Sequence, residues 1–567
     1  MFPPLPDEPA KSYALELMAR FDREGVDAVV YADSAGKAFP ADKASGAAPT
    51  NGALMSPFAK KPDRPTEQMF GILTCTAPDG SEVVLKAFSG QYQSRWTVPG
   101  WVPPLLDEAE FARLTEESDR AIHALTDEIE TLSEDRSTLS IHAARIGELK
   151  AARKTASHKS MHDIFALYSI PVMARIETAA THEWTNPKNG KTYPRYETRP
   201  VIEKRSIFGF YGAGASKSGI PQKADDAMPP TGAGECCAPK LIGYALAHGL
   251  KPVSLAEFFY SGDERAAALK AGQGLGDAAA LNADKGLLPD TAGKADKGVL
   301  SRPDARQHKV FYPPCDEKCG PLLPAMLGLK VLYRDDSIVV VEKPSGLLSV
   351  PGRGPDKQDC VVNRVKWLYD RLMGIEQPAV HRLDMETSGI LVLAFTEDAH
   401  RTLNRQFEEG TVFKQYEAVL EGVPECVKNG VREGTIKLPF RLDPENRPHQ
   451  VYDEEFGKVG ITDWQFLRYE KGGRCRMLYT PRTGRTHQLR LHSADVHGFG
   501  IPIAGDALYG RQGPAGLESA QVPSCGAGLE SGQRPAESGR LLLHACRLEF
   551  THPVSGERMV FISPARF

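Results

Sequence analysis

The chain has 567 residues, which is long enough for two to four domains. Its 69 Lys and Arg residues are nearly balanced by 73 Asp and Glu residues. The resulting net charge of -4 excludes nucleic-acid binding through overall charge, so any such role requires a local basic surface. No apolar run reaches about 18 residues, which predicts no transmembrane helix. Ten cysteines in so long a chain do not suggest a disulfide scaffold, and residues 1–8 lack the basic start and apolar core of a secretory signal. We therefore expect a cytoplasmic protein with reduced thiols and no membrane contact.

Residues 1–106 are predicted to form a small N-terminal region with a short sheet. The predicted elements are a helix at 13–21, a loose loop at 33–65, and strands at 69–73 and 83–88. Trp96 and Trp101 follow the second strand. They either pack in a core, as aromatic side chains usually do, or line a small aromatic surface.

Residues 107–170 are predicted to form a long, coiled-coil-like helix. Between residues 107 and 157, apolar side chains recur at alternating three- and four-residue steps, with Arg136 as an interruption. This spacing is typical of a heptad seam. The helix either folds back on its own domain as a hairpin or self-associates, and the seam does not distinguish the two. Its basic end at 150–159 is either an RNA contact or a solvated face.

Residues 171–320 are predicted to be a loop-rich, cysteine-containing region in which the low-complexity stretch 261–305 is disordered. Two local cysteine pairs are formed by Cys236, Cys237, Cys315 and Cys319, and such pairs suit tetrahedral zinc. They also faintly resemble the zinc ligands of base deaminases. However, the chain lacks the His-x-Glu of those enzymes and has one extra residue between the second pair. Ordinary buried or free cysteines are the third interpretation.

Residues 325–567 are predicted to form an α+β domain with a mixed, mostly antiparallel central sheet, preceded by the long α/β extension described above. Its predicted helices are 361–372 and 398–408, and its predicted strands are 331–336, 338–341, 413–420, 451–452, 462–466, 476–479 and 548–550. A Gly-, Ser- and Ala-rich stretch at 511–540 is expected to be a mobile insertion.

A polar loop precedes an apolar strand at 381–394, where HRLDMETSG is followed by ILVLA. A carboxylate and an arginine in this position are candidates for chemistry, because rigid sheets position functional groups on their adjoining loops. Taken alone, Asp384 and Arg382 are more often an ordinary surface pair on a tight turn.

Five further segments accompany this loop in a fixed order. They are DSIVVVEKPSGLL (336–348), KQYEAV (414–419), TGRTHQLRLH (483–492), PIAGDALYG (502–510) and LLLHA (541–545). Together with HRLDMETSG they resemble the motifs of the RluA family of pseudouridine synthases, over about residues 325–567. The sequence LSVPGR at 348–353 is most similar to the RluA type, which modifies both ribosomal and transfer RNA. The S4 RNA-binding module that many relatives carry is not recognised in the extension.

The resemblance implies an isomerase that converts specific uridines of structured RNA, in 23S rRNA and/or tRNA, to pseudouridine without a redox cofactor or metal. It makes Asp384 the nucleophile and Arg490 the arginine paired with it, with binding of phosphate as the alternative for Arg490. Tyr416 matches the tyrosine that stacks on the target base and assists proton removal, and a core tyrosine is its alternative. The candidate substrate-binding residues are Arg382, which would fill the gap left by the flipped uridine, and His381, Thr387, Arg485, His487 and Gln488.

A basic stretch at 471–490 supplies the local charge that the totals conceal. It contains Lys471, Arg474, Arg476, Arg482, Arg485 and Arg490 and no acidic residue. Such a stretch either contacts RNA phosphates or forms a solvated face.

Two other functions remain open at this point. One is a degenerate RNA-binding scaffold, against which the presence of Asp384, Tyr416 and Arg490 argues. The other is a bifunctional protein whose N-terminal half is a second, zinc-dependent nucleobase enzyme.

Overall fold

The computed structural model describes residues 5–32, 67–134, 139–185, 192–211, 228–261, 306–510 and 539–567. The predicted loop at 33–65 lies outside these ranges. So do residues 262–305 of the low-complexity stretch and residues 511–538 of the predicted insertion. Two compact units are present. The first consists mainly of Pro3–Val172 and Ile202–Met326, and the second of Met173–Val201 and Leu327–Phe567. Within the described ranges, no helix is long and apolar enough to cross a membrane.

The elements before the second unit's main sheet alternate between helices and strands. They are α1 Ala10–Glu24, α2 Val26–Ala32, β1 Glu67–Thr76, β2 Glu82–Phe88, α3 Glu108–Glu134, α4 Leu139–Ala166, β3 Ser169–Thr185, β4 Thr192–Ser206, α5 Cys237–Ala247, β5 Lys251–Ser261 and α6 Leu323–Met326. Strands β3 and β4 pair with each other, and most of their residues belong to the second unit.

The first unit is built on an antiparallel sheet in the order β2-β1-β5. One face packs against α1, and Trp101 is buried in that core with its indole N–H donated to Val30 O at 3.2 Å. Trp96 is also buried, which confirms the core interpretation for both tryptophans. On the sheet, Gly71 of β1 admits the close approach of α5, because a Cβ there would lie 2.6 Å from Cys237 Cβ. The third strand comes from residues 251–261, so the short sheet is not confined to the predicted region 1–106.

The segment predicted as one long helix contains two helices, so the single helix is wrong and the hairpin alternative is confirmed. Arg145 of α4 bonds Glu128 of α3 at 2.9 Å, and Ser160 bonds Ser118 at 2.9 Å. Seventeen residues of continuous helix would separate Arg145 from Glu128 by about 25 Å, so the two helices lie antiparallel as a hairpin. Apolar side chains of the predicted seam, including Ile129 and Ile146, form a cluster between them. The apolar seam, which left a hairpin and self-association open, therefore packs between the two helices of the hairpin.

The loop-rich prediction for 171–320 is also wrong in part, because most of β3 and all of β4 and β5 lie there. Residues 198–206 of β4 are half-buried or exposed on every side. A strand without a buried face shows no alternation of apolar and polar residues, which is why the sequence gives no strand signal there.

The second unit contains a ten-stranded sheet in the order β11-β10-β12-β13-β9-β14-β8-β7-β6, with β15 paired to β14. Its elements are β6 Lys330–Arg334, β7 Ile338–Lys343, α7 Val361–Leu368, β8 Ser388–Ala394, α8 Glu397–Glu408, β9 Phe413–Leu420, α9 Glu425–Lys428, β10 Glu433–Leu442, β11 Gln450–Tyr452, β12 Lys458–Glu470, β13 Arg474–Pro481, α10 Gln488–Ala494, β14 Leu543–Thr551 and β15 Arg558–Ile562. The β8–β14 pair is parallel, and the other strand pairs of this sheet are antiparallel. This confirms the mixed, mostly antiparallel sheet and the α+β class for this unit.

Strand β8 fixes the end of the 381–387 loop in the middle of this sheet. All seven of its residues are buried between β7 and β14. Gly389 has φ +121°, and a Cβ there would lie 2.4 to 2.7 Å from the backbone of Ala545. Gly389 is therefore part of the strand, and it permits the close parallel approach of β14.

Candidate active site

The loop that carries Asp384 is held by hydrogen bonds from the segment that follows β7. Ser349 Oγ donates to Leu383 O at 2.7 Å and accepts the Leu383 N–H at 3.0 Å. Gly346 N donates to Met385 O at 2.9 Å, and Ser345 Oγ donates to Glu386 O at 2.7 Å. We call residues 343–349 the clamp segment. It fixes the backbone on both sides of Asp384 through residues at the end of the 336–348 motif.

Lys343 is the clamp segment's buried cation. Its Nζ donates to the carbonyl oxygens of Pro344, Leu347 and Met385 at 3.0, 2.7 and 2.8 Å, and the side chain is completely buried. Burial lowers the pKa of Lys343 to about 7, against the opposing charges of Asp384 and Glu386. Three converging carbonyls match the three N–H donors of an ammonium group, so the geometry favours the charged form.

Arg490 is bound directly to Asp506. Its Nε and Nη2 donate to the two Asp506 carboxylate oxygens at 2.8 and 2.5 Å, and both side chains are buried. Glu386 Oε2 lies 3.5 Å from Arg490 Nη2 without hydrogen-bond geometry, and burial raises the pKa of Glu386. The expectation that Asp384 is the direct partner of Arg490 is not met. Among the described residues Arg490 bonds Asp506, and Asp384 acts on it electrostatically.

The residues before Arg490 hold its helix in place. His487 has φ +54°, an uncommon left-handed backbone for this residue, and its Nδ1 lies 3.0 Å from Tyr509 Oη. Gln488, predicted to bind substrate, is buried, and both ends of its amide are occupied. Its Oε1 accepts from Thr483 Oγ1 and Arg485 N, and its Nε2 donates to Ile461 O and Thr462 Oγ1. Gln488 therefore positions the turn that precedes α10.

Tyr416 lies in the central strand β9, opposite Tyr479 on β13 and Ala545 on β14. Burial, and secondarily the charge of Asp384, raises the pKa of Tyr416 well above its usual value. The same carboxylate acts on Lys343, His487 and Arg490. Side chains from three separate motifs thus converge around Asp384.

The other predicted substrate-binding residues divide by exposure. His381 Nε2 accepts the Val392 N–H at 3.1 Å, the ring stacks on Phe407, and burial lowers the pKa of His381 to about 3. Thr387 is buried, and its N–H donates to Asp384 O at 3.1 Å. These two residues support the loop from inside. In contrast, Arg382 is exposed, with Nη2 3.5 Å from Thr486 Oγ1.

Arg485 and Thr486 line an open cavity of about 250 Å³ on the same unit. Its other lining residues are Phe440, Arg441, Leu442, Gln450, Phe456 and Lys458. Arg441 is paired with Asp453, whereas Lys458 and Arg485 have no ion pair among the described residues. We call this the Arg485 cleft.

The basic stretch at 471–490 does not form one uniform cationic face. Four of its members are ion-paired within the unit: Arg474 with Glu421, Arg476 with Glu417 and Glu470, Arg482 with Asp463, and Arg490 with Asp506. Lys471 and Arg485 are exposed and form no ion pair in the described part of the chain. Composition alone therefore overstates the charge available to a ligand.

Sequence reasoning missed Lys343, Glu386 and Asp506 as site residues. Each stood inside a quoted motif but was given no role. The available signal was a charge beside an apolar run, such as Lys343 at the end of β7, since a buried charge requires partners.

The predicted metal ligands lie in the first unit and do not all come together. Cys236, Cys315 and Cys319 gather with their three sulfurs within 4.8 Å of one another. Cys237 is buried with its Sγ directed to Met69 O at 3.4 Å and Ala87 O at 3.7 Å. The four-cysteine set is therefore wrong in one member, because successive side chains at the start of α5 point in different directions.

The second unit's fold and motifs define an RNA pseudouridylate synthase domain, and the profile of that family matches residues 337–495. The dual-specificity RNA pseudouridine synthase RluA of Escherichia coli O6:H1 is 41% identical over 239 residues, covering 42% of this chain and 94% of the relative. The enzyme of the same name from Haemophilus influenzae is 40% identical over the same length and covers the same shares. The solved structure of human RNA pseudouridylate synthase domain containing 1 is 27% identical, with a TM-score of 0.30 over 42% of this chain and 83% of that one. On the identity to RluA, the chain belongs to the RluA family of pseudouridine synthases.

Proposed function

We propose that this enzyme isomerises specific uridines of structured RNA, in 23S rRNA and/or tRNA, with Asp384 as the nucleophile. The observation that carries the proposal is the clamp segment, which fixes the backbone around Asp384 while Lys343, Tyr416, His487 and Arg490 surround its carboxylate. The RluA relatives are named as dual-specificity RNA pseudouridine synthases, which supports both RNA classes as substrates.

The reaction breaks the bond between uracil N1 and ribose C1′ and forms a bond between C5 and C1′. The C5 proton leaves to solvent and N1 gains a proton, so the product has the same composition as the substrate. Asp384 would form a transient covalent bond that holds one fragment while the base rotates. Every bond that changes lies in the nucleotide or at this carboxylate, so the chemistry requires no redox cofactor or metal.

Tyr416 and Arg490 would serve this carboxylate differently. Burial raises the pKa of Tyr416 and so further disfavours the phenolate that proton abstraction would need, which favours stacking on the base. Arg490, anchored to Asp506, keeps a positive charge near Asp384 without a direct bond to it. A cation in a water-poor site stabilises negative charge as the nucleophile is released.

RNA would approach from the side of Arg382 and the Arg485 cleft. Reaching a base inside folded RNA requires flipping it out of the stack, which costs a few kcal/mol. Arg382 is exposed and lies two residues from Asp384, so it can enter the vacated position. Lys458 and Arg485 line the adjacent cleft and provide charges for phosphates.

The proposal is tested by mapping pseudouridine across cellular RNA in strains with and without the gene. We expect a small set of sites in rRNA and/or tRNA to disappear on deletion. The wild-type gene should restore them, and a gene carrying Asp384→Asn should not. An identical map in the deletion strain, or restoration by the Asp384→Asn gene, would contradict the proposed function.

A further inference from the structure

Three cysteines of the first unit form a cluster that the uridine chemistry does not use. Cys236 immediately precedes helix α5, while Cys315 and Cys319 lie in a turn closed by Cys319 N to Cys315 O at 3.2 Å and Gly320 N to Cys315 O at 3.1 Å. The two parts are far apart in sequence, yet the three sulfurs lie within 4.8 Å of one another. Cys319 is buried, and Cys236 and Cys315 are partly buried.

The spacing of the sulfurs fits a shared metal ion. Cys315 Sγ and Cys319 Sγ are 3.7 Å apart. Two sulfurs bound to one tetrahedral zinc at about 2.3 Å each are separated by about 3.8 Å. A disulfide would bring them to about 2.05 Å. The pair is therefore already at the separation that a common ion requires.

One of the three cysteines is placed at the start of a helix, where a negatively charged ligand is favoured. Cys236 stands at the N-cap of the 11-residue helix α5, where the unpaired N–H groups and the helix dipole favour negative charge.

We propose that Cys236, Cys315 and Cys319 bind one Zn²⁺ ion that ties the turn at 315–319 to the start of α5. Sulfur-only ligands select zinc over magnesium or calcium, which take oxygen ligands. The described residues supply three ligands, so one tetrahedral position is left for water or a further ligand. Because the bond joins segments distant in sequence, it removes conformational freedom from the unfolded chain and stabilises this part of the unit. Cys237 is excluded from the site.

The test is metal content of the full-length protein purified under reducing conditions. We expect one zinc per chain by mass spectrometry of the metal. Replacement of the zinc by Co²⁺ should give the thiolate charge-transfer absorption of a tetrahedral site. Cys236→Ser, Cys315→Ser and Cys319→Ser should each lose most of the metal. Cys237→Ser is the matched control and should keep it, because that thiol is neighbouring, buried and directed elsewhere.

A second measurement on the wild type covers variants that fail to fold. Alkylation mapped by mass spectrometry should spare Cys236, Cys315 and Cys319 in the zinc-loaded protein and label them after chelation. The proposal is overturned if the reduced wild type takes up neither Zn²⁺ nor Co²⁺, if these thiols react equally before and after chelation, or if Cys237→Ser alone loses the metal. A Cys315–Cys319 disulfide in metal-free protein as purified would overturn it in favour of a redox pair.

Discussion

Lys343 Nζ donates a 2.8 Å hydrogen bond to the carbonyl oxygen of Met385, the residue directly after Asp384. The same ammonium group binds Pro344 O and Leu347 O, so one buried cation joins the end of β7 to the loop that carries the proposed nucleophile. The orientation of Asp384 therefore depends on a residue distant in sequence that need not touch the substrate.

Lys343→Met should lower kcat about 10- to 1000-fold while leaving KM for RNA within a few-fold, because misplacing a reacting group affects the chemical step more than binding. Lys343→Arg should not rescue the rate, since the three carbonyls surround a single nitrogen. Steady-state kinetics on both variants checks this. A rise in KM with unchanged kcat would show that Lys343 contributes to RNA binding instead.

Asp506→Asn should destabilise the protein by about 3 to 5 kcal/mol, because it leaves the buried Arg490 charge without its bidentate partner. Asp463→Asn is the matched control. Its pair with Arg482 is exposed, so the expected change is below about 1 kcal/mol. Urea unfolding of the two variants and the wild type measures the difference. Equal small effects would mean that Asp506 is not the counter-ion of Arg490 in solution.

How far the sequence predicted the site depends on the kind of contact involved. Asp384 and Tyr416 lie in motifs that are recognisable in the sequence, and both residues belong to the second unit. The partner of Arg490 was predicted wrongly. Asp506 is brought to Arg490 by a turn, and the spacing of residues in the sequence does not reveal the geometry of that turn. The bonds of Lys343 go to backbone carbonyls, which have no sequence signature at all. Outside the main sheet, residues 198–206 of β4 have no buried face and gave no periodic signal, and a heptad seam did not show whether its helix folds back or self-associates.

Arg485→Ala and Lys458→Ala should each weaken binding to all RNAs alike. Each should also reduce the slope of log affinity against log salt by about 0.7 to 0.9, because each change removes one phosphate contact. Arg474→Ala is the control of equal charge change, since Arg474 is already paired with Glu421 and its loss should leave the slope nearly unchanged. Affinity titrations over a salt series separate these cases. Equal slopes for all three variants and the wild type would remove the Arg485 cleft from the RNA interface.

Stability should fall with acid partly through His381. The pKa of His381 is about 3 in the folded chain and about 6.5 in the unfolded chain. Between these pH values the unfolded chain binds a proton at His381 and the folded chain does not. Stability from this group is therefore present above pH 6.5 and lost as the pH falls, at up to about 1.4 kcal/mol per pH unit. Unfolding at pH 7 and pH 5 should show a smaller loss for His381→Gln than for the wild type, by up to about 2 kcal/mol. An equal loss in both would show that His381 is not buried as a neutral base.

Tritium release from RNA carrying [5-³H]uridine tests whether Asp384 is the nucleophile, because the C5 proton is lost only when the new carbon–carbon bond forms. The wild type should release tritium in proportion to pseudouridine formed. Asp384→Asn should bind the same RNA with similar affinity and release less than about a thousandth as much, since an amide cannot replace a carboxylate in covalent catalysis. Glu386→Gln, two residues away on the same loop, serves as the control and should retain more of the activity. Tritium release by a folded Asp384→Asn variant at a rate near that of the wild type would show that Asp384 is not the nucleophile.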